Sequence, residues 1–286
     1  MSRRRVVQPI APRARRAAFV PPFLRAGRRI LRRSAKRALR ALPPAPFPLQ
    51  LIAAGLVVLA VLAAANWAYQ AVRKPSEMFF PVSGALSKLP SETWREYGWL
   101  FRMNSTAIMT PELLAALAQV EGAGNPVART YWRWRFTWNP FEMYRPASSA
   151  VGMYQITDAT FREAKRYCVR NHSVAEDGPW YDWRSCWFNA LYTRVVPNHA
   201  VEMISALLDR KVAGTLGRLQ IANATLQQQQ DLAAVIHLCG AGAGEAYARR
   251  GFRHAPRQQC GDHDIGAYLA HLNSMKQQFA RIAAAG

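Results

Sequence analysis

The N-terminal part of this chain contains no acidic residue, and the first Asp or Glu is Glu77. Residues 1–48 nevertheless hold fourteen Lys and Arg residues. From residue 75 onward the chain has 22 basic and 17 acidic residues, so most of the net charge of +21 belongs to the N-terminal arm. The rest of the chain is only mildly basic, which excludes a protein that is strongly cationic throughout.

Charge of either sign is also missing from residues 41–72. The 24 residues 49–72 are mainly apolar and are numerous enough to cross the hydrocarbon core of a bilayer with some tilt. Trp67 and Tyr69 are placed as interfacial anchors, and the basic arm is expected to stay in the cytoplasm. The sequence therefore predicts a single-pass protein of the inner (cytoplasmic) membrane with its C-terminal part in the periplasm.

Two other interpretations of this region remain open. Ala63-Ala64-Ala65 resembles the cleavage site of a secretory signal peptide, although a leader ending there would be far longer than usual. A nucleic-acid-binding arm is the second alternative. A basic segment directly before a membrane span is better explained by topology and by attraction to anionic lipid. No specific nucleic-acid partner is therefore expected.

Cysteine is scarce, and the four cysteines all lie beyond the apolar segment, at Cys168, Cys186, Cys239 and Cys260. None forms a Cys-x-x-Cys pair, which argues against a zinc site. In an oxidising compartment two disulfides are expected. The pairing of sequence neighbours, Cys168 with Cys186 and Cys239 with Cys260, closes two short loops, while other pairings and four buried thiols remain alternatives. No metal and no organic cofactor is suggested.

Alternating strands and internal repeats are absent from the sequence, and helical periodicity dominates beyond the apolar segment. We predict a mainly α protein with four parts: a basic cytoplasmic arm (1–48), a transmembrane helix (49–72), a juxtamembrane connector (73–109) and a compact helical domain (110–286). A short helix is expected in the connector around 92–101. The predicted helices of the domain cover residues 110–121, 158–168, 198–208, 226–238 and 265–282.

The most informative of these helices ends in a glutamate. Thr110 is a good N-cap, and Leu113, Leu117 and Glu121 lie at i, i+4 and i+8, so Glu121 projects from the face that carries the leucines. Gly122 and Gly124 are expected to stop the helix. Apolar neighbours and the negative helix end both favour the protonated carboxyl, as a general acid requires. The alternative is an ordinary surface carboxylate at a frayed helix end.

A turn follows thirty-one residues later and reads Gly152-Met153-Tyr154-Gln155-Ile156. The helix ending in Glu121, this turn and the capped helix after it resemble the SLT-type lytic transglycosylases, which cleave the glycan strands of peptidoglycan. Their pattern is a glutamate–serine pair, then G-A-x-G-L-M-Q-I, then a later Y-N-A-G. The resemblance covers residues 110–250 and implies a lysozyme-like helical domain behind the single N-terminal transmembrane helix. It implies that Glu121 is the catalytic acid and that the turn contacts substrate through Gly152, Met153, Tyr154 and Gln155.

The chain departs from the family pattern at three points. Gly122 follows the glutamate where the family has serine, and the first two motifs lie farther apart than usual. The third motif has become Ile236-His237-Leu238-Cys239-Gly240-Ala241-Gly242, so His237 stands where the family carries its active-site tyrosine. The resemblance implies substrate contacts for His237 and Gly240, and a core histidine is the alternative for His237.

The greater separation of the motifs comes from an aromatic insertion. Residues 131–144 contain seven aromatic side chains in fourteen positions. Aromatic faces stack on the apolar face of pyranose rings, so some of these rings, Trp138 and Tyr144 among them, are expected to line a glycan groove. Others are expected to serve as packing, and a loop folded down to extend the core is the alternative.

The carboxylates suggest a mechanism, since only Glu121 belongs to a motif. Glycosidases that use water as the final acceptor usually need two carboxylates that flank the bond. A single-acid mechanism that yields 1,6-anhydro-muramic ends fits better and agrees with the resemblance. The alternatives are a hydrolytic muramidase on the same fold and a catalytically idle wall-binding scaffold. The expected partners are peptidoglycan glycan strands, the cytoplasmic membrane and an envelope or secretion complex.

Overall fold

The computed structural model describes residues 46–79, 83–182 and 184–285. The predicted cytoplasmic arm therefore lies almost wholly outside the described residues. Two compact units divide the chain, Met1–Leu62 and Ala63–Gly286.

The first described element is α1, Phe47–Arg73, a helix of 27 residues. Its sequence is long and apolar enough to cross a membrane, and it is the one such helix among the described residues. A helix of this length rises by about 40 Å at ~1.5 Å per residue, which exceeds the ~30 Å of a hydrocarbon core. The predicted apolar helix at 49–72 is thereby confirmed, with one or two further residues at each end.

The rest of the described chain is mainly helical, as predicted. The bounds of its helices are α2 Pro90–Met103, α3 Pro111–Gly122, α4 Asp158–Ala164, α5 Pro197–Arg218, α6 Leu226–Cys239, α7 Ala241–Arg249 and α8 Ile265–Ala285. Short 3₁₀ helices lie at Pro75–Phe79, Gly84–Leu86, Pro140–Glu142 and Trp187–Leu191.

One hydrophobic core joins α2, α3, α5, α6 and α8. Leu113 and Leu117 of α3 lie in it together with Leu100 and Phe101 of α2, all essentially without solvent exposure. The predicted helix at 92–101 therefore exists as part of α2. It does not belong to a connector outside the domain, because burying its apolar face makes it part of the same core.

Three antiparallel hairpins complete the fold: β1 (Trp132–Trp134) pairs with β2 (Tyr144–Pro146), β3 (Tyr167–Arg170) with β4 (Ser173–Glu176), and β5 (Gln259–Cys260) with β6 (His263–Asp264). The second hairpin corrects the helix predicted at 158–168. That helix ends at Ala164, and the chain then turns through Asn171 and His172, which both have positive φ angles and so reverse its direction.

Both predicted disulfides are confirmed. Cys168 is bonded to Cys186 and Cys239 to Cys260, each pair with Cα atoms 5.5 Å apart. The first bridge ties β3 to the start of a 3₁₀ helix. The second ties the end of α6 to the β5–β6 hairpin that leads into α8. No described cysteine is free.

Candidate functional site

The helix that carries Glu121 is built as the sequence predicts. The hydroxyl of Thr110 caps α3 by accepting a hydrogen bond from the amide of Leu113 at 3.4 Å. The apolar face of α3 is fully buried, and Glu121 lies in the last turn, one residue before the helix ends at Gly122. Ala123 then takes the left-handed conformation, with φ of 49°. The Glu121 side chain retains 16 % of its surface, so solvent and ligands can reach it.

Gly122 explains how the two motifs come together. A Cβ atom at this position would lie 2.8 Å from the Cα atom of Met153 and 3.1 Å from the carbonyl oxygen of Gly152. The end of α3 therefore packs directly against the backbone of the turn, and any side chain here would separate them. A glycine is the residue that permits this close approach.

The turn at residues 152–155 is closed by a pair of backbone hydrogen bonds between Val151 and Ile156, of 3.2 and 3.0 Å. Gly152 has a φ of 83°, and a Cβ there would lie 2.5 Å from the carbonyl oxygen of Arg194. Gln155 also has a positive φ, of 45°, and its amide nitrogen donates to the carbonyl oxygen of Gly152 at 2.9 Å. This side-chain bond stabilises the turn from within.

The structure corrects the expected roles of Met153 and Tyr154. Both side chains are completely buried in the core. The hydroxyl of Tyr154 donates to the carbonyl oxygen of Leu114 at 3.1 Å, and burial raises the pKa of Tyr154 well above its ordinary value. Their side chains therefore fix the turn to α3 and are not positioned to touch a substrate.

Arg194 is a residue of this site that the sequence did not reveal. Its guanidinium donates to the carbonyl oxygens of Ser149 and Ile156, both at 2.9 Å, and forms an ion pair with Asp158 at 2.7 Å. The planar fork of arginine can hold several acceptors at once. Arg194 lies in the segment that precedes α5 and hydrogen-bonds to residues on both sides of the turn.

The closest partner of Glu121 is Tyr268 of α8, which the sequence also did not reveal. The hydroxyl of Tyr268 donates to Oε1 of Glu121 at 2.6 Å. Burial raises the pKa of Tyr268 well above its ordinary value, and the Glu121 carboxylate acts in the same direction. The phenol is therefore a neutral hydrogen-bond donor over the whole neutral range. Its only sequence signal was membership of the buried face of α8.

His237 lies close to Glu121. Its Nε2 atom is 3.9 Å from Oε1 of Glu121, and its side chain is only 6 % exposed. This is an ion-pair distance if the ring is protonated and is too long for a hydrogen bond. Among the described residues, Tyr268 and His237 are the side chains that hydrogen-bond or ion-pair with Glu121.

The disulfide Cys239–Cys260 links the helix that carries His237 to the hairpin that precedes the helix of Tyr268. Cys239 follows His237 by two residues in α6, and Cys260 lies in the hairpin that leads into α8 and Tyr268. Gly240 ends α6 with a φ of 82°, is exposed, and has open space around its Cα. Gly240 therefore acts as the turn after α6, and no described contact joins it to Glu121.

The aromatic insertion forms the β1–β2 hairpin and does not fold into the core. The ring of Tyr144 lies 5.2 Å from that of Trp132 and 4.8 Å from that of Trp134. Trp138 is fully exposed near the tip. No described hydrogen bond or ring contact joins Tyr144 or Trp138 to Glu121, so the structure does not gather them into the same cluster.

A cavity of about 880 Å³ lies on another part of the domain and does not include Glu121. Its lining includes Arg73, Lys74, Arg145, Asp158, Tyr192 and Arg194. No group of three or more His, Cys, Asp or Glu side chains that could hold a metal ion occurs within the described ranges.

The arrangement around Glu121 therefore consists of one partly exposed carboxyl, a neutral phenol that orients it, and an imidazole within ion-pair distance. Such a carboxyl can give and take a proton. Comparison of the chain with family models, with curated proteins and with solved structures gave no match.

Proposed function

We propose that this protein is a membrane-anchored peptidoglycan lytic transglycosylase. In this proposal α1 crosses the inner membrane, the basic arm is cytoplasmic, and the unit that contains Glu121 is a lysozyme-like domain in the periplasm. The disulfides Cys168–Cys186 and Cys239–Cys260 suit that compartment, because the periplasm is oxidising.

The observation that carries the proposal is the setting of Glu121 against the 152–155 turn. The two motifs of the family resemblance lie thirty-one residues apart in sequence, yet Gly122 brings their backbones into direct contact. The carboxyl is held by Tyr268 and remains partly open to solvent. The described hydrogen-bond and ion-pair partners of Glu121 are Tyr268 and His237, and in this proposal Glu121 acts as a single acid–base group.

The chemistry would proceed in two proton transfers at Glu121. The protonated carboxyl donates its proton to the glycosidic oxygen between N-acetylmuramic acid and N-acetylglucosamine, and the bond from C1 to that oxygen breaks. The carboxylate then removes the proton of the muramic C6 hydroxyl while that oxygen forms a bond to C1. The products are a 1,6-anhydro-muramic end and a free 4-hydroxyl, and Glu121 regains its proton.

The neighbours of Glu121 have separate tasks in this scheme. Tyr268 orients the carboxyl through Oε1, so the other oxygen is available for proton transfer. His237, when protonated, stabilises the carboxylate formed between the two steps. Arg194 and Gln155 stabilise the turn beside Glu121. The backbone groups of this turn are the ones that would bind the sugar.

The test is an analysis of products. Full-length protein in detergent is incubated with purified peptidoglycan, and the released muropeptides are identified by mass spectrometry. We expect ends of 1,6-anhydro-muramic acid, which are lighter than reducing ends by one water molecule. Reducing muramic ends would assign the protein to the hydrolytic muramidases instead. Binding of peptidoglycan without any cleavage would indicate the idle scaffold.

A further inference from the structure

The hairpin of residues 131–146, called here the aromatic hairpin, carries large apolar side chains that the fold leaves in solvent. Phe136 and Trp138 at its tip are fully exposed, and Trp134 is 74 % exposed. Exposed apolar groups gathered on one projection mark an interaction surface far more often than scattered single residues do. The rings are therefore available to a partner outside the described fold.

The aromatic hairpin is fixed to the C-terminal turns of α1. Asn66 donates to the carbonyl oxygen of Tyr144 at 2.8 Å, and Gln70 donates to that of Phe141 at 2.7 Å. The rings of Tyr69 and Phe141 lie 5.3 Å apart. Gln70 is buried by these contacts. These contacts fix the hairpin to the C-terminal end of α1.

A buried ion cluster holds the base of the aromatic hairpin to the chain just after α1. The carboxylate of Glu77 has no solvent exposure and pairs with Lys74 at 3.1 Å and with Arg129 at 3.2 Å. It also accepts a hydrogen bond of 2.9 Å from the indole of Trp132. Charged hydrogen bonds in a buried site are directional, so the hairpin has a defined orientation relative to α1.

The contacts hold the distal part of the aromatic hairpin beside the last turns of α1. The carbonyl of Tyr144 accepts from Asn66, and the carbonyl of Phe141, closer to the tip, accepts from Gln70. Glu142 also pairs with Arg73 at 2.6 Å. The exposed tip therefore lies close to the C-terminal end of α1.

From this placement, and on the proposed membrane anchoring of α1, we propose that the aromatic hairpin inserts its tip into the outer interface of the lipid bilayer that α1 crosses. Tryptophan is preferred at this depth, because its ring is apolar and its indole nitrogen can still donate a hydrogen bond. Arg133 and Arg135, both exposed beside the tip, face the phosphates of the lipid headgroups. Phe136 has no polar atom and suits acyl chains better than sugar.

The hairpin would then set the distance between the membrane and Glu121. At its base the hydroxyl of Tyr131 lies 3.5 Å from Asp262, next to the Cys239–Cys260 bridge that supports the site. The tip at Trp138 belongs to the opposite end of the same rigid hairpin. Glycan strands within one hairpin length of the membrane surface would be the ones presented to Glu121.

The test uses full-length protein in vesicles of phosphatidylcholine with a minority of phosphatidylglycerol. Some of the phosphatidylcholine is brominated at the top of its acyl chains, because bromine quenches tryptophan fluorescence only on close approach. Wild type is compared with Trp138→Ser and with the control Trp180→Ser, whose ring is also exposed to water but far from α1 in sequence. Trp67 contributes the same background to all three proteins.

We expect Trp138→Ser to lose a distinct share of the quenchable emission and Trp180→Ser to lose none. Equal quenching in wild type and Trp138→Ser would overturn the proposal. So would a Trp138→Ser variant that keeps full quenching but cleaves glycan more slowly in detergent, since the ring would then contact sugar. Quenching by Trp138 in a protein that cleaves no glycan would refute the proposed activity and leave the membrane contact standing.

Discussion

The hydroxyl of Tyr268 donates a 2.6 Å hydrogen bond to Oε1 of Glu121 across 147 positions of sequence. The bond joins the first turn of α8 to the last turn of α3. It fixes the one carboxyl of the family resemblance in a defined orientation.

Replacement of Glu121 by glutamine should abolish nearly all glycan cleavage without unfolding the protein. Glutamine keeps the shape and can still accept from Tyr268, but it carries no exchangeable carboxyl proton. General acid–base assistance contributes roughly a hundred- to ten-thousandfold, so the rate should fall by that range. Release of soluble muropeptides from purified peptidoglycan measures it.

The matched control for the acid is Glu112→Gln in the first turn of the same helix. This substitution also replaces a carboxyl group by an amide, but at a position outside the site. Cleavage should therefore be unchanged. Undiminished cleavage by Glu121→Gln would defeat the assignment of this residue as the acid.

Removal of the Tyr268 hydroxyl in Tyr268→Phe should slow cleavage, because the Glu121 carboxyl loses the group that orients it. A hydrogen bond to a charged group contributes about 1.5–3 kcal/mol, which sets about a ten- to hundredfold limit on the loss of rate. Cleavage at the wild-type rate by the folded variant would show that the ring only packs.

The same variant should alter stability in alkali. The pKa of Tyr268 is raised in the folded protein above the ordinary value of 10.0, mainly by burial. Its contribution to the free energy of unfolding is therefore complete below pH 10 and is lost as the pH rises beyond that value. Denaturant unfolding above and below pH 10 should show a smaller decline for Tyr268→Phe than for wild type.

Introduction of a side chain at Gly122 should destabilise the protein and displace the turn. In Gly122→Ala the new Cβ would meet the backbone of Met153 at 2.8 Å, and backbone atoms cannot move aside cheaply. We expect a loss of about 1–3 kcal/mol in the free energy of unfolding, together with slower cleavage. Gly122→Ser, which also adds a Cβ atom, should be equally harmful.

Gly217 provides the control for this close approach. It lies near the end of α5, and nothing would meet a Cβ there within 4 Å. Gly217→Ala should be neutral or should stabilise the helix by up to about 1 kcal/mol. Equal stability of the Gly122 and Gly217 variants would contradict the direct contact between α3 and the turn.

The two disulfides should differ in their effect on activity. Their sequence separations are 18 and 21 residues, so replacing either pair by serine should cost a similar amount, about 3 kcal/mol. Only Cys239–Cys260 connects the elements that carry His237 and Tyr268. Its removal should lower cleavage below that of the Cys168–Cys186 variant when both are compared at a temperature where both are folded.

Several features could be predicted because they depend on neighbours in the chain. The Thr110 cap, the spacing of Leu113, Leu117 and Glu121, and the apolar length of α1 act over one or a few turns. The pairing of neighbouring cysteines, one of the arrangements that the sequence left open, was decided by the structure. The hairpin at Tyr167 was missed, because the apolar spacing after Asp158 fitted a helix and the reversal at Asn171 was not recognised as a turn.

The sequence by itself determined most of the helical segments and that Glu121 ends an apolar stripe, because caps and periodicity are local properties of the chain. Only the tertiary structure decided that Tyr268 and Arg194 hold the acid and the turn, since partners far apart in sequence are selected by how helices pack. It also decided that Tyr154 is buried while Trp138 is exposed. Both are large aromatic residues, and their burial depends on which surfaces the folded chain brings against them.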